Sequence, residues 1–177
     1  NSGLSKLLPK ATLSAAFTAA TAGDTIIMND GVYSSAHLEL NKPITILPWS
    51  YRGTTIRSTN TSHTLYVNAH DVTLGALVLD TDGVSATALR SASAKRNLRL
   101  YGTKLIGKAY SLYHTGTVYA YGLQVVSTDA TVAVFRLDPA LPGDVVIEDM
   151  VCDANVTCKS SVDGVNFVFR RNSIASK

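Results

Sequence analysis

The chain has 177 residues, 46% of them hydrophobic, and a formal net charge of +3. That suffices for one sizeable core in a single domain, and no apolar run is long enough to cross a membrane, so no membrane insertion is expected. The charge is mild and lacks a Lys/Arg stripe, which argues against nucleic acid as a partner. Ser and Thr make up about a fifth of the residues and Glu occurs only at Glu39 and Glu148, a composition suited to strands and turns rather than helices.

Residues 1–8 form an apolar tail, with Leu4, Leu7 and Leu8 ahead of Pro9. Pro9–Ala22 is the one segment with helical periodicity, through Leu13, Ala16, Phe17 and Ala20, and Gly23 stops it. From Thr25 onward a degenerate hydrophobic signature recurs at intervals averaging roughly 24 residues, within the range of solenoids. Apolar residues stand at a first position, then two, five and seven residues later. Weak copies begin near Ile26 and Ile44. Clear copies follow at Val72, Leu74, Leu77, Leu79; at Leu98, Leu100, Leu105 with Thr103 in the third slot; and at Val118, Ala120, Leu123, Val125. Two more are Val145, Ile147, Met150, Cys152, and Phe167, Phe169, Ile174 with Asn172 in the third slot.

Residues two apart on a strand share a face, so each first-and-third pair marks a strand with one buried side. The step to the next pair needs a bend. Gly75, Gly102, Gly122 and Asp149 suit it, whereas Arg170 and Arg171 break that rule. Further extended runs at His63–Asn68, Ala86–Ser91, Ser111–Thr115 and Thr131–Asp138 supply a third side to each coil. Three short strands per turn predict an all-β parallel β-helix of about seven rungs. A β-sandwich would also give many short strands, but it has no reason to hold the step in register. The helix over 9–23 is expected to plug the first rung, and rungs occupy 24–177 as one domain.

No equivalent cap follows Phe167, Phe169 and Ile174. These residues and the Leu4, Leu7, Leu8 tail are therefore candidates for end-to-end contact between copies of the chain, in a ring, fibre or small oligomer. Alternatively the tail folds back over its own helix. The chain opens on Asn1 rather than Met, which a removed secretory signal would explain, as would trimming of a longer chain; a secreted, extracellular protein is the expectation. Cys152 and Cys158 are close enough across a turn to form a disulfide, or else are two buried thiols. Asn60-Thr61-Ser62 and Asn155-Val156-Thr157 match the N-glycosylation pattern, although a chain this rich in Ser and Thr shows such matches by chance.

Leu13–Tyr33, ending in AGDTIIMNDGVY, resembles the opening of pectate-lyase-like right-handed parallel β-helix proteins. It is most similar to the chondroitinase-B and alginate-lyase group of polysaccharide lyases, in which a helix of the form L..A...A..GDTI.L..G.Y caps the coil. Pro43-Ile44-Thr45-Ile46 and YVNAHDVTLGALVLD are similar to that group's first rungs. CKSSVDGVNFVFRRN resembles the segment carrying its catalytic lysine, which implies Lys159 as the base of a β-elimination on an acidic uronate glycan. The group holds calcium on Asn and two Glu just before that lysine; here those glutamates are missing, and Asp149 and Asp153 are a weak replacement. The family's arginine would fall beyond Lys177. The resemblance thus implies the fold with an incomplete active site, and calcium is a cofactor only if the lyase reading holds.

The outward slots of neighbouring rungs place Arg99 beside Tyr119 and Tyr101 beside Tyr121, with Lys104 and Gln124 on the adjoining strand. Rings flanked by cations and an amide suit an acidic or cell-surface polysaccharide, although Tyr is also simply a good strand residue whose ladder steadies the stack. His37, His63, His70 and His114 lack metal-ligand spacing. The expectation is therefore a secreted, non-catalytic β-solenoid without a cofactor, structural by self-assembly, glycan-binding, or both. The alternative is a compact polysaccharide lyase.

Overall fold

The computed structural model describes residues 9–83, 87–92, 94–128, 135–153, 156–158, 160 and 162–175. The alternation of buried and outward residues folds the chain into turns of three short strands. The first turn is Thr25–Met28 (β1), Gly31–Ser35 (β2) and Leu38–Leu40 (β3); the second is Thr45–Pro48 (β4), Thr54–Ser58 (β5) and His63–Val67 (β6). Then come Thr73–Gly75 (β7), Val78–Asp80 (β8), Thr87–Ser91 (β9), and Leu98–Tyr101 (β10), Lys104–Gly107 (β11), Tyr110–His114 (β12). Val118–Tyr121 (β13), Gln124–Ser127 (β14) and Phe135–Leu137 (β15) precede Gly143–Glu148 (β16), Val151–Cys152 (β17) and Val156–Cys158 (β18). Val165–Arg170 (β19) and Ser173–Ile174 (β20) begin a seventh turn. Equivalent strands stack in parallel, every third strand joining one sheet, so the described residues form six full turns and two strands of another. The fold is a parallel β-solenoid.

The signature residues are the core. Val72, Leu74, Leu77, Leu79, Leu100, Leu105, Val118, Ala120, Leu123, Val145, Ile147 and Met150 are all fully buried, each apolar side chain of Val or Leu size contributing about 2 kcal/mol relative to exposure. Register carries them over one another: Leu98 lies beside Val118, Val118 beside Val145, and Val145 beside Phe167. Polar residues in the third slot earn their place by bonding the backbone of the previous rung. The Thr103 hydroxyl donates to Leu74 O at 3.0 Å. Asn172 accepts from Met150 N–H at 2.8 Å and donates to Ile147 O at 3.0 Å.

The bend between first and second sheets differs in one detail from expectation. Its left-handed residues are Arg52, Ala76, Gly102, Gly122, Asp149 and Arg171, not Gly75. Gly75 is required for a different reason, since a Cβ there would come within 2.5 Å of the Leu47 side chain. Arg171 tolerates φ 51 in a corner where its guanidinium grips the Asp149 carboxylate, Nε to Oδ1 at 2.7 Å and Nη2 to Oδ2 at 3.0 Å.

The helix is shorter than its periodicity predicts, covering Leu13–Ala19 (α1). Thr12 is the N-cap, its hydroxyl accepting from Ala15 N–H at 3.1 Å. The far end stops at Ala20 because the Asp24 carboxylate takes both the N–H and the hydroxyl of Thr21, while Lys42 donates to the terminal Ala20 carbonyl at 2.6 Å. Leu13 and Phe17 bury against the first rung as part of the one core, so the helix does plug that end. At the other end Phe169 and Ile174, in slots that are buried in the preceding rungs, are 39% and 48% exposed. The tail residues Leu4, Leu7 and Leu8 lie outside the described residues.

The expected disulfide is not formed. Cys152 points from β17 into the core, whereas Cys158 lies in β18 of the third sheet, and the two sulfurs remain thiols. Although Cys158 is exposed as a residue, desolvation pushes its thiol up to about 11. Without any reductant, denatured protein should therefore consume two equivalents of a thiol reagent per chain, and native protein at pH 7 should react slowly; a denatured chain with no reactive thiol would restore the bridge.

His114 is the one histidine inside the core. It is fully buried, one ring nitrogen meeting Thr117 O at 3.1 Å while Nδ1 has no partner. Desolvation lowers its pKa to about 4, against a smaller raising effect of that bond. The unfolded chain takes up a proton near pH 6.5 that the folded chain refuses until about pH 4, so stability is full above that window and falls as pH drops through it. The expected loss from His114 between pH 7 and 4 is roughly 3 kcal/mol. Denaturation midpoints measured across this range should show it, and His114→Leu should flatten the dependence even where it lowers stability at pH 7.

Candidate glycan-binding face

Parallel register turns every outward position into a column along the solenoid, one residue per rung and about 4.8 Å apart. On the first sheet Arg99 pairs with Tyr119 and Tyr101 with Tyr121, and on the second Lys104 pairs with Gln124, as the sequence predicts. The structure also shows how these groups are engaged. The Tyr101 and Tyr121 rings stack on each other, centroids 5.6 Å apart and planes 16° from parallel, so each covers one face of the other. The Gln124 side-chain oxygen accepts from Arg52 Nη1 at 2.8 Å, and the same guanidinium donates to Gly102 O at 2.8 Å. Tyr51 packs over the bare backbone of Gly102, where a Cβ would meet its ring at 2.8 Å. Arg52 and Tyr51 thus brace the corner, and part of the first candidate face is structural.

The third sheet carries a second ladder. Its outward column reads Glu39, Tyr66, Arg90, Tyr113, Arg136, Thr157, each paired with the next. The Tyr113 ring lies between two guanidinium groups, 5.5 Å from that of Arg90 and 5.0 Å from that of Arg136. Arg136 is neutralised by Asp138, Nη2 to Oδ2 at 3.2 Å; bonds to Asp138 and Tyr110 hold its pKa above the usual arginine value. Arg90 is exposed and, among the described residues, has no carboxylate partner. Beside it His63 stacks on Tyr66 at 5.0 Å and meets His37 edge-on at 4.9 Å. Desolvation first, then the charges of His37 and Arg90, lower the His63 pKa to about 4, so this ring is neutral at pH 7. Its Nδ1 lies 2.8 Å from the Ser62 hydroxyl.

This ladder was not among the sequence-derived candidates, although a signal exists. An apolar residue followed by the outward one recurs as Leu38-Glu39, Leu65-Tyr66, Leu89-Arg90, Leu112-Tyr113 and Phe135-Arg136.

The lyase constellation is not assembled by the described residues. Lys159 lies outside them. Asp149 gives both carboxylate oxygens to Arg171, which lowers its pKa, and an Asp153 oxygen accepts from Ser127 N–H at 2.8 Å, so the pair does not fit calcium. No cluster of three or more His, Cys, Asp or Glu placed to hold a metal occurs among the described residues. Of the glycosylation candidates, Asn60 sits in the turn after β5, accepting from Ser62 N–H at 3.0 Å, and Asn155 lies outside the described residues.

No protein-family model matches the sequence, and no curated protein matches it. Solved structures do. The pectin methylesterase from Yersinia enterocolitica matches with a TM-score of 0.66 at 19% identity, over 91% of this chain and 66% of that one. Pectin methylesterase PemA from Erwinia chrysanthemi matches with 0.66 at 15%, over 91% and 65%. The deglycosylated pectin methylesterase from Aspergillus niger matches with 0.60 at 14%, over 94% and 83%. The fold is therefore a parallel β-helix like that of these enzymes, and the chain spans 66% and 65% of the length of the first two. At these identities the likeness carries the fold alone, and it lends no support to the narrower chondroitinase-B and alginate-lyase assignment.

Proposed function

We propose that this chain is a non-catalytic, extracellular β-solenoid that binds an acidic polysaccharide along its third sheet. The observation that carries the reading is Arg90: an exposed guanidinium without a carboxylate partner among the described residues, held over the Tyr113 ring between two tyrosine rungs. A planar guanidinium pre-oriented by a ring loses little freedom on pairing with a carboxylate, and the flanking hydroxyls suit sugar hydroxyls. The first-sheet group of Arg99, Tyr101, Lys104, Tyr119 and Tyr121, with Gln124, offers a second, partly braced surface to the same ligand. The folds it resembles belong to enzymes named for pectin, a polysaccharide, which is consistent with this reading.

Titration of the protein with acidic oligosaccharides should show binding that weakens with salt, and Arg90→Ala should lower affinity about tenfold, the worth of one charged hydrogen-bonding contact. Unaltered binding in Arg90→Ala would remove the third sheet from the interaction. Calcium-dependent release of unsaturated uronate products, lost in Lys159→Ala, would replace the binding reading with the lyase.

A second reading, association of copies, rests on the exposed Phe169 and Ile174 of β19 and β20. Sedimentation at rising concentration should reveal oligomers that Phe169→Asp disperses. A monomer at every concentration would end it.

A further inference from the structure

Resting on the glycan-binding reading above, the charge order of the third-sheet column narrows the ligand. We infer that the Arg90 site selects an isolated acidic sugar, flanked by uncharged sugars, in a glycan that runs parallel to the solenoid axis.

Three features combine. The column presents one side chain per rung, in unbroken register from Glu39 to Arg136. Its step of about 4.8 Å is close to the advance of an extended pyranose chain, so a glycan along the axis sets successive sugars over successive side chains. A glycan laid across the sheet would meet Arg90 once and leave the column unread.

The column then has a definite charge sequence. Arg90 is the one cation in it without a carboxylate partner among the described residues, since Arg136 is paired with Asp138. The rungs on either side hold Tyr66 and Tyr113, which offer hydroxyls and no charge. Two rungs to one side stands the Glu39 carboxylate, which accepts from the Asn68 amide and has no cation partner among the described residues. Two rungs to the other side the Arg136–Asp138 pair is neutral overall. An anionic sugar over Arg90 pairs with it directly, whereas anions over the tyrosines meet no cation on their own rung and feel Arg90 only from one rung away. One over Glu39 faces a like charge at about 10 Å from the Arg90 position, within reach at low ionic strength. Charge on every sugar, which raises non-specific attraction to a basic protein, is thus penalised here by placement. Glu39 and Asp138 are assigned as the residues that set this preference.

The test uses the intact chain and three oligosaccharides of similar length: one from deacylated gellan, in which a single glucuronate is separated from the next by neutral sugars; one from alginate, charged on every sugar; and neutral cellohexaose. Calorimetry at low salt should rank gellan above alginate by several-fold and above cellohexaose by tenfold or more. Arg90→Ala should abolish the gellan preference. The double variant Glu39→Gln, Asp138→Asn should bring alginate up to or beyond gellan while circular dichroism stays unchanged. If alginate binds most tightly to the unaltered protein, or the double variant leaves the ranking as it was, the isolated-charge rule is overturned and the glycan-binding reading survives. If none of the three binds, both fall.

Discussion

The structure depends on one constraint: each strand must hydrogen-bond to its equivalent one turn earlier without slipping by a residue. A slip would turn every inward side chain to solvent, because faces alternate along a strand. Three kinds of residue enforce the register. Fully buried Leu, Ile and Val fill the inside; left-handed residues at Arg52, Ala76, Gly102, Gly122, Asp149 and Arg171 set the corner; and side chains such as Thr103, Asn172 and Arg52 tie one rung's backbone to another's. The last group explains how polar residues can occupy apolar slots, since an unpaired buried carbonyl or amide would cost more than the lost methyl groups.

The same constraint organises the surface. Once register is fixed, an outward residue has no freedom over its neighbours, which are the equivalent residues of adjacent rungs. Tyr101 must meet Tyr121, and Tyr113 must lie between Arg90 and Arg136. Cation–ring contacts on the third sheet and ring stacking on the first therefore follow from sequence spacing rather than from flexible adjustment. They also divide the surface by role. Stacked or braced groups spend their faces on the protein, while Arg90 retains hydrogen-bonding capacity toward solvent.

The solenoid, its helix plug and the contents of its first two sheets are legible in the sequence because the step between inward pairs is nearly constant. Val118, Ala120, Leu123 and Val125 announce both strands and the corner between them. The corner chemistry is less legible. Ala76 and Arg171 take conformations that residue type disfavours, compensated by contacts with other rungs, and Gly75 is dictated by Leu47 from the rung before. Helix length was lost to a local contest in which the Asp24 carboxylate competes for Thr21. The third-sheet ladder is not legible because connections into that sheet vary in length, which hides the Leu-Tyr and Leu-Arg pairs from a fixed step. Its central property, that Asp138 silences Arg136 while no carboxylate among the described residues silences Arg90, is a matter of side-chain reach that spacing alone does not contain.

Core and surface are thus specified almost independently in this fold. The inward slots ask only for apolar bulk in register, which many sequences supply, and this accounts for TM-scores of 0.66 at 15% to 19% identity. Outward columns are free of that demand, so their side chains can change without disturbing a rung. A shared solenoid is for that reason weak evidence of shared chemistry. In this chain that freedom is used for one order of charge along the third sheet, from Glu39 through Arg90 to the Arg136–Asp138 pair, the column on which the proposed binding rests.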